Sequence, residues 1–124
     1  MTDSDERPPI WVGHIVMRTS RIADSERFMR GLGMRFFERD GNAVILELRG
    51  GTHLILLEED DAKTSDAAFD LMVEDLDAMH RTCADLGGAP SAIKDGKIHR
   101  TFSATDPSGN TITFYDSHVS KFAV

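Results

Sequence analysis

Four side chains of this sequence combine a reactive type with a setting in which they could do chemistry. His14 lies in the middle of an alternating apolar segment, and Asp70 lies between two apolar residues. Together they could serve as a general base and its orienting partner for proton abstraction beside a carbonyl group. His14, His53 and His99 could instead form a histidine-rich site for a divalent ion. Both hypotheses require side chains from different strands to converge.

Each candidate also has a purely structural interpretation, and His99, which follows the polar run Asp95-Gly96-Lys97, could simply be a loop residue. His14 could be a hydrogen-bonded histidine of the scaffold, and His53 could be solvated beside the Gly50-Gly51 turn. Asp70 could lie at an exposed rim, because an enclosed carboxylate needs a partner or a shifted pKa. Tyr115 could stack on a ligand or pack against a sheet. The sequence leaves these alternatives open.

The first half of the chain has the pattern of a βαβββ unit. Residues 10–18 alternate and are rich in branched side chains, which predicts a strand. Apolar residues recur at helical spacing from Ile22 to Leu32, and Gly33 provides a stop. Three short strands are then predicted near residues 36–37, 43–48 and 53–57.

The second half repeats this order. A strand is predicted at residues 69–73, a helix from Leu76 to Gly87, and three strands near residues 92–93, 98–104 and 111–115. A shift of 54 residues places Ile22 on Leu76 and Gly33 on Gly87. The repeat indicates that a small unit, unable to bury its sheet face alone, has been duplicated so that two copies complete each other.

Composition and charge restrict the function. The 124 residues suit one domain, and the lone Cys83 cannot form an internal disulfide, which agrees with a reducing compartment. Most of the net charge of −7 lies in residues 1–9 and 58–66, so it describes tails and linkers rather than a pocket. No apolar run approaches the ~20 residues of a membrane span, and the acidic start is unlike a signal peptide. We expect a cytoplasmic protein that binds neither nucleic acid nor membrane.

The doubled pattern resembles the vicinal oxygen chelate superfamily of glyoxalases, bleomycin-resistance proteins and extradiol dioxygenases. The resemblance rests on His14 in the first strand, Gly31-Leu32-Gly33 after the first helix, Val73-Glu74-Asp75-Leu76-Asp77 before the second, and the turn Asp106-Pro107-Ser108-Gly109-Asn110. It implies an α+β fold in which two βαβββ modules form curled mixed sheets around a cavity, with the helices on the outer faces. It also implies a homodimer.

The resemblance also implies a domain organisation. We predict a disordered acidic tail at residues 1–9, a single domain at 10–118 and a C-terminal tail at 119–124. Within the domain, module 1 spans residues 10–58, a linker spans 59–66 and module 2 spans 67–118.

In metal-dependent relatives the ion is held at positions that correspond here to His14, Ile55, Ala68 and Thr113. Of these, only His14 carries a usual ligand, since Ile55 and Ala68 have no donor and Thr113 has a neutral hydroxyl. Such an ion commonly needs about three protein ligands. We therefore predict no cofactor, and a divalent metal only through a non-standard site.

Strand alternation from His14 predicts the cavity lining. A two-residue Gly50-Gly51 turn would pair Leu48 with His53 and Leu46 with Ile55. The five-residue turn at 106–110 would oppose residues 103 and 113, and residues 101 and 115. The predicted ligand-binding residues are His14, Leu46, Leu48, His53, Ile55, Asp70, Met72, His99, Thr101, Ser103, Thr113 and Tyr115, with His14 and Asp70 as the catalytic candidates.

We expect this cavity to bind a small apolar or aromatic molecule, with the usual metal site largely lost. Apolar walls with a few polar groups are typical of such binding sites. The alternative is a metal-dependent or His/Asp-dependent lyase, isomerase or dioxygenase with a rebuilt site, acting on a small carbonyl or aromatic substrate.

Overall fold

The computed structural model describes residues 7–117, so the predicted tail at 119–124 and most of the tail at 1–9 lie outside the described residues. The first module contains β1 (His14–Thr19), α1 (Ile22–Leu32), β2 (Arg35–Asp40), β3 (Ala43–Glu47) and β4 (His53–Glu58). The second contains β5 (Leu71–Val73), α2 (Leu76–Asp85), β6 (Lys94–Asp95), β7 (Arg100–Thr105) and β8 (Thr111–Asp116). The predicted order, βαβββ twice, is confirmed.

Each module forms its own four-stranded mixed sheet. The strand orders are β1-β4-β3-β2 and β5-β8-β7-β6, so neither sheet closes into a barrel. The first strand of each module pairs in parallel with the last, and the other pairs are antiparallel. The two modules therefore share one topology, and the predicted α+β class is confirmed.

The two helices begin at positions related by the 54-residue shift, but their caps differ. α1 starts at Ile22 and α2 at Leu76, in agreement with the repeat. Asp75 caps α2 by accepting a hydrogen bond of 2.9 Å from the backbone N–H of Ala78. Gly33, which follows α1, has a positive φ of 123°, a conformation that favours glycine. Neither helix of the described part is long and apolar enough to cross a membrane.

The two modules share one apolar core. Each helix covers one face of its own sheet, α1 over β3 and β4, and α2 over β7 and β8. The rings of Phe102 and Phe114 stack with their centroids 4.9 Å apart. A Cβ atom on Gly31 would lie 2.7 Å from Cδ2 of Leu86, so the missing side chain lets α1 approach the end of α2. The other face of each sheet, away from its helix, is called here its open face.

The modules meet along a seam where β1 approaches β5. One end of the seam is closed by the turn at residues 106–110. Asn110 is buried there; its side-chain oxygen accepts a 3.1 Å hydrogen bond from the N–H of Ser65, and its Nδ2 lies 3.3 Å from the carbonyl oxygen of Arg18. Burial raises the pKa of Asp106, although the N–H of Asn110 donates to its carboxylate. This turn ties module 2 to β1.

Candidate ligand-binding site

The open face of module 1 carries three of the predicted site residues. β1 and β4 pair in parallel, with His14 opposite His53 and Val16 opposite Ile55. The residues that alternate with these are buried or half-buried on the helix side. The two imidazole rings have centroids 5.8 Å apart. The structure therefore places His14, His53 and Ile55 on one face, as strand alternation predicts.

His53 has two neighbours that the sequence interpretation missed. Its Nε2 lies 3.3 Å from Oε2 of Glu47, whose other oxygen accepts a hydrogen bond from Arg35. The hydrogen bonds from Arg35 and then from His53 lower the pKa of Glu47. The ring of Phe37 lies 4.4 Å from that of His53, between centroids, and is 54% exposed. The result is a row of three rings beside an ion pair.

The predicted two-residue turn between β3 and β4 is wrong. The turn has three residues, Arg49–Gly51, and is closed by a 2.8 Å backbone hydrogen bond from the N–H of Leu48. Glu47, not Leu48, is therefore the partner of His53. Because side chains alternate along a strand, this shift by one residue places Leu46 in the core, where it is fully buried. Leu46 cannot line the open face.

The open face of module 2 is rich in hydroxyl groups. Ser103 pairs with Thr113, and Thr101 pairs with Tyr115, as the five-residue turn predicts. The hydroxyl of Thr101 donates a 2.8 Å hydrogen bond to the carbonyl oxygen of Phe114. The β7–β8 register is thus confirmed, and with it the common face of these four side chains.

His99 lies beside this face and interacts with its own module. Its Nδ1 lies 2.9 Å from the carbonyl oxygen of Asp116 and 3.2 Å from Oδ1 of the same residue, and its ring centroid is 5.1 Å from that of Tyr115. Burial acts to raise the pKa of Asp116, but hydrogen bonds from the N–H of Arg100 and from His99 outweigh it and lower that pKa. His99 is thereby held at the end of β8.

The structure brings together neither His14 with Asp70 nor the three histidines His14, His53 and His99. Asp70 comes just before β5, and within residues 7–117 no hydrogen bond or ion pair links it to His14. His14 and His53 are neighbours, whereas His99 is held by module 2. Across the part of the chain that the structure describes, no group of three or more His, Cys, Asp or Glu side chains could hold a metal ion.

The positions at which the resemblance implies metal ligands do not fit a divalent ion. His14 and Ile55 share the open face of module 1, and Thr113 lies on that of module 2. Together with Ala68, these three side chains provide one imidazole and one neutral hydroxyl. A divalent ion commonly needs about three nitrogen, oxygen or sulfur ligands from the protein, usually with carboxylate or thiolate charge among them.

A cleft of about 580 Å³ opens at the other end of the seam, away from the 106–110 turn. It lies between the segment before β1, the end of α1, the β3–β4 turn and β5, and its polar lining residues are Arg49, Thr52 and Asp70. The apolar walls include Val12, Ile15, Met34, Phe69, Met72 and Met79.

The cleft separates residues that were predicted to share one cavity. Leu48, Asp70 and Met72 line the cleft, whereas His14 and His53 lie on the open face of module 1. The predicted single cavity is thus divided among the cleft and two open faces.

Comparison with known proteins identifies related sequences and folds. A family model described as the Glyoxalase/Bleomycin resistance protein/Dioxygenase superfamily matches residues 11–114. Comparison with curated protein sequences gives no significant match.

Three solved structures illustrate the shared fold. TnmS3, an antibiotic binding protein from Streptomyces sp. CB03234, has a TM-score of 0.72 and 18% identity, covering 90% of this chain and 100% of its own. A bleomycin resistance determinant encoded on the transposon Tn5 has a TM-score of 0.71 and 18% identity, covering 89% and 100%. Lactoylglutathione lyase from Agrobacterium tumefaciens has a TM-score of 0.69 and 16% identity, covering 90% and 96%. At such identities the likeness concerns the fold.

Proposed function

This chain belongs to the glyoxalase/bleomycin resistance protein/dioxygenase superfamily, and from that premise we propose that it binds a small apolar or aromatic molecule in the cleft between its modules. One fold hosts many chemistries, so the function has to be argued from the site. The observation that carries the proposal is the cleft itself, with about 580 Å³ of space and mainly apolar walls. Ligand pockets commonly enclose roughly 300–1,000 Å³ and combine such walls with a few polar groups.

The side chains of the walls suit a flat or branched apolar body. Met34, Met72 and Met79 line the cleft, and methionine adapts to irregular shapes because it is unbranched and polarisable. Phe69 and Phe114 also line it, and aromatic rings offer broad surface for stacking. Affinity would come from apolar area removed from water, at about 25 cal/mol per Å².

Two of the solved structures that share the fold are of proteins described as resisting or binding an antibiotic, which supports a binding function. One is a bleomycin resistance determinant, and the other is an antibiotic binding protein. The scaffold therefore occurs in proteins named for binding or resisting small molecules, and the cleft gives this chain a place for such a ligand.

Binding without a metal ion or other cofactor is part of the proposal. The supporting observation is that the family's metal positions carry one imidazole, one hydroxyl and two hydrocarbon side chains here. The lack of a hydrogen bond or ion pair between His14 and Asp70 within residues 7–117 favours binding over the His/Asp-dependent enzyme. A general base needs its orienting group within hydrogen-bond reach.

A homodimer in the cytoplasm completes the proposal. Ile10, Trp11 and Phe37 are 80%, 69% and 54% exposed. A second copy would remove such apolar surface from water, and on the open face of module 1 it would cover Phe37. The free thiol of Cys83 is compatible with a reducing compartment.

The test compares two equivalent substitutions on the segment that leads into and forms β1. Val12 lines the cleft and is 58% exposed, whereas Val16 lies outside the cleft on the open face and is 42% exposed. We expect wild-type protein to bind 4-phenylbutanol, Val12→Trp to weaken that binding about tenfold by filling the mouth, and Val16→Trp to leave it unchanged. Isothermal titration calorimetry measures all three.

Two results would contradict the proposal. One is no binding of the probe by the wild-type protein. The other is a loss confined to Val16→Trp, which would place the ligand on the open face of module 1.

A further inference from the structure

We propose that the natural ligand of the cleft is an amphiphilic cation, with an apolar body and an ammonium or guanidinium group that pairs with Asp70. This inference rests on the proposed function and adds the chemical class of the ligand. Its basis is which of the three polar residues that line the cleft have hydrogen-bond or ion-pair partners within the protein.

Two of these residues are already engaged within the protein. The hydroxyl of Thr52 donates a 2.7 Å hydrogen bond to the carbonyl oxygen of Val12. The guanidinium of Arg49 lies 2.7 Å from Oε1 of Glu74, so the two form an ion pair. Both groups therefore already have a partner within the protein.

Asp70 differs from both. Within the described residues, no side chain or backbone group forms a hydrogen bond or ion pair with its carboxylate. Its neighbours Phe69 and Leu71 line the cleft as apolar wall. Asp70 is itself exposed. The cleft therefore presents a solvent-accessible carboxylate that no group of the described residues binds, between two apolar neighbours.

The charges around the cleft favour a cation over an anion. Arg49 and Glu74 neutralise each other, which leaves the negative charge of Asp70 uncompensated among these three groups. An anionic ligand would meet repulsion there and would find Arg49 already paired. A cation would pair with Asp70, and because that carboxylate is exposed the attraction would be a modest one, screened by water and salt.

The experiment uses three probes that share one body and differ in head charge: 4-phenylbutylamine, 4-phenylbutanol and 4-phenylbutyrate at neutral pH. Calorimetry on the full-length wild-type chain should show the amine binding about fivefold more tightly than the alcohol, and the carboxylate binding most weakly. In Asp70→Asn, the amine and the alcohol should bind with equal affinity. Asp60→Asn, a matched change at an exposed linker residue outside the cleft, should retain the preference for the amine.

Failure of this inference is distinct from failure of the proposed function. Equal wild-type affinities for amine and alcohol, or a preference that survives in Asp70→Asn, would overturn the cationic ligand while leaving the cleft as a binding site. No binding of any of the three probes would overturn the proposed function itself.

Discussion

At one end of the seam the β7–β8 turn carries Asp106 and Asn110 into the interior, whereas at the other end the β3–β4 turn carries two glycines and no buried side chain. The first end is packed and hydrogen-bonded across the modules. The second end opens into the cleft, with an exposed ion pair between Arg49 and Glu74 at its side.

The difference shows how a duplicated unit can have a cleft at one end of its seam and not at the other. The two sheets have the same strand order and the same pairing directions. The turn of five residues supplies side chains that fill the seam, and the turn of three residues, two of them glycine, supplies none. The two connections therefore differ while the strand order of both sheets is the same.

Of the three sets of substitutions at the two ends of the seam, removal of the Asn110 side chain should lower the free energy of unfolding most. Its amide is 4% exposed and bonds to Ser65 and to Arg18. The same amide lies 3.3 Å from Oδ2 of Asp106, which is 3% exposed. Because a buried polar group left unpaired costs about 1–3 kcal/mol, we expect Asn110→Ala to lower the free energy of unfolding by about 3 kcal/mol in urea titrations. Asn42→Ala is the control, because that exposed amide donates one 3.2 Å bond to Glu58. Equal losses would show that the two environments do not differ.

Replacing one glycine in each of the two turns by alanine should lower the free energy of unfolding by an intermediate amount. Gly109 and Gly50 have positive φ of 92° and 78°, so alanine costs about 1 kcal/mol of backbone strain at both positions. A Cβ on Gly109 would lie 2.7 Å from Cγ2 of Thr64, whereas a Cβ on Gly50 meets nothing within 4 Å. We expect Gly109→Ala to lose about 1 kcal/mol more than Gly50→Ala by chemical denaturation. An equal loss would argue against close packing at the turn.

Breaking the ion pair beside the cleft should have the smallest effect. The side chains of Arg49 and Glu74 are 79% and 68% exposed, and exposed pairs contribute little because water and salt screen them. Glu74→Gln should change the free energy of unfolding by less than about 0.5 kcal/mol, measured by denaturation at low and high salt. A loss above about 1 kcal/mol would contradict the weak contribution expected of an exposed pair.

The sequence predicted the β7–β8 register correctly and the β3–β4 register wrongly, because the two turns differ in what they specify. The Asp-Pro-Ser-Gly-Asn turn fixes a five-residue connection, and the pairing of Ser103 with Thr113 followed from it. Two adjacent glycines permit either a two-residue or a three-residue turn. Gly50 and Gly51 both take positive φ, and the 3-10 turn begins one residue earlier, at Arg49.

The wrong turn length affected the predicted side-chain directions of β3 only. β4 is positioned by its parallel pairing with β1, so His53 and Ile55 kept their predicted face. β3 is positioned by the turn, so Leu46 moved to the core and Glu47 moved beside His53. The cleft was not predictable from local pattern at all, because it depends on how the two modules pack against each other.

Trp11, in the segment before β1, has a consequence for studying the wild-type chain. It is the sole tryptophan of the sequence, is 69% exposed, and directly precedes Val12 at the cleft. The emission wavelength of an indole depends on the polarity of its surroundings. The native protein therefore carries a single optical reporter next to the proposed ligand, and no dye has to be attached to observe occupancy.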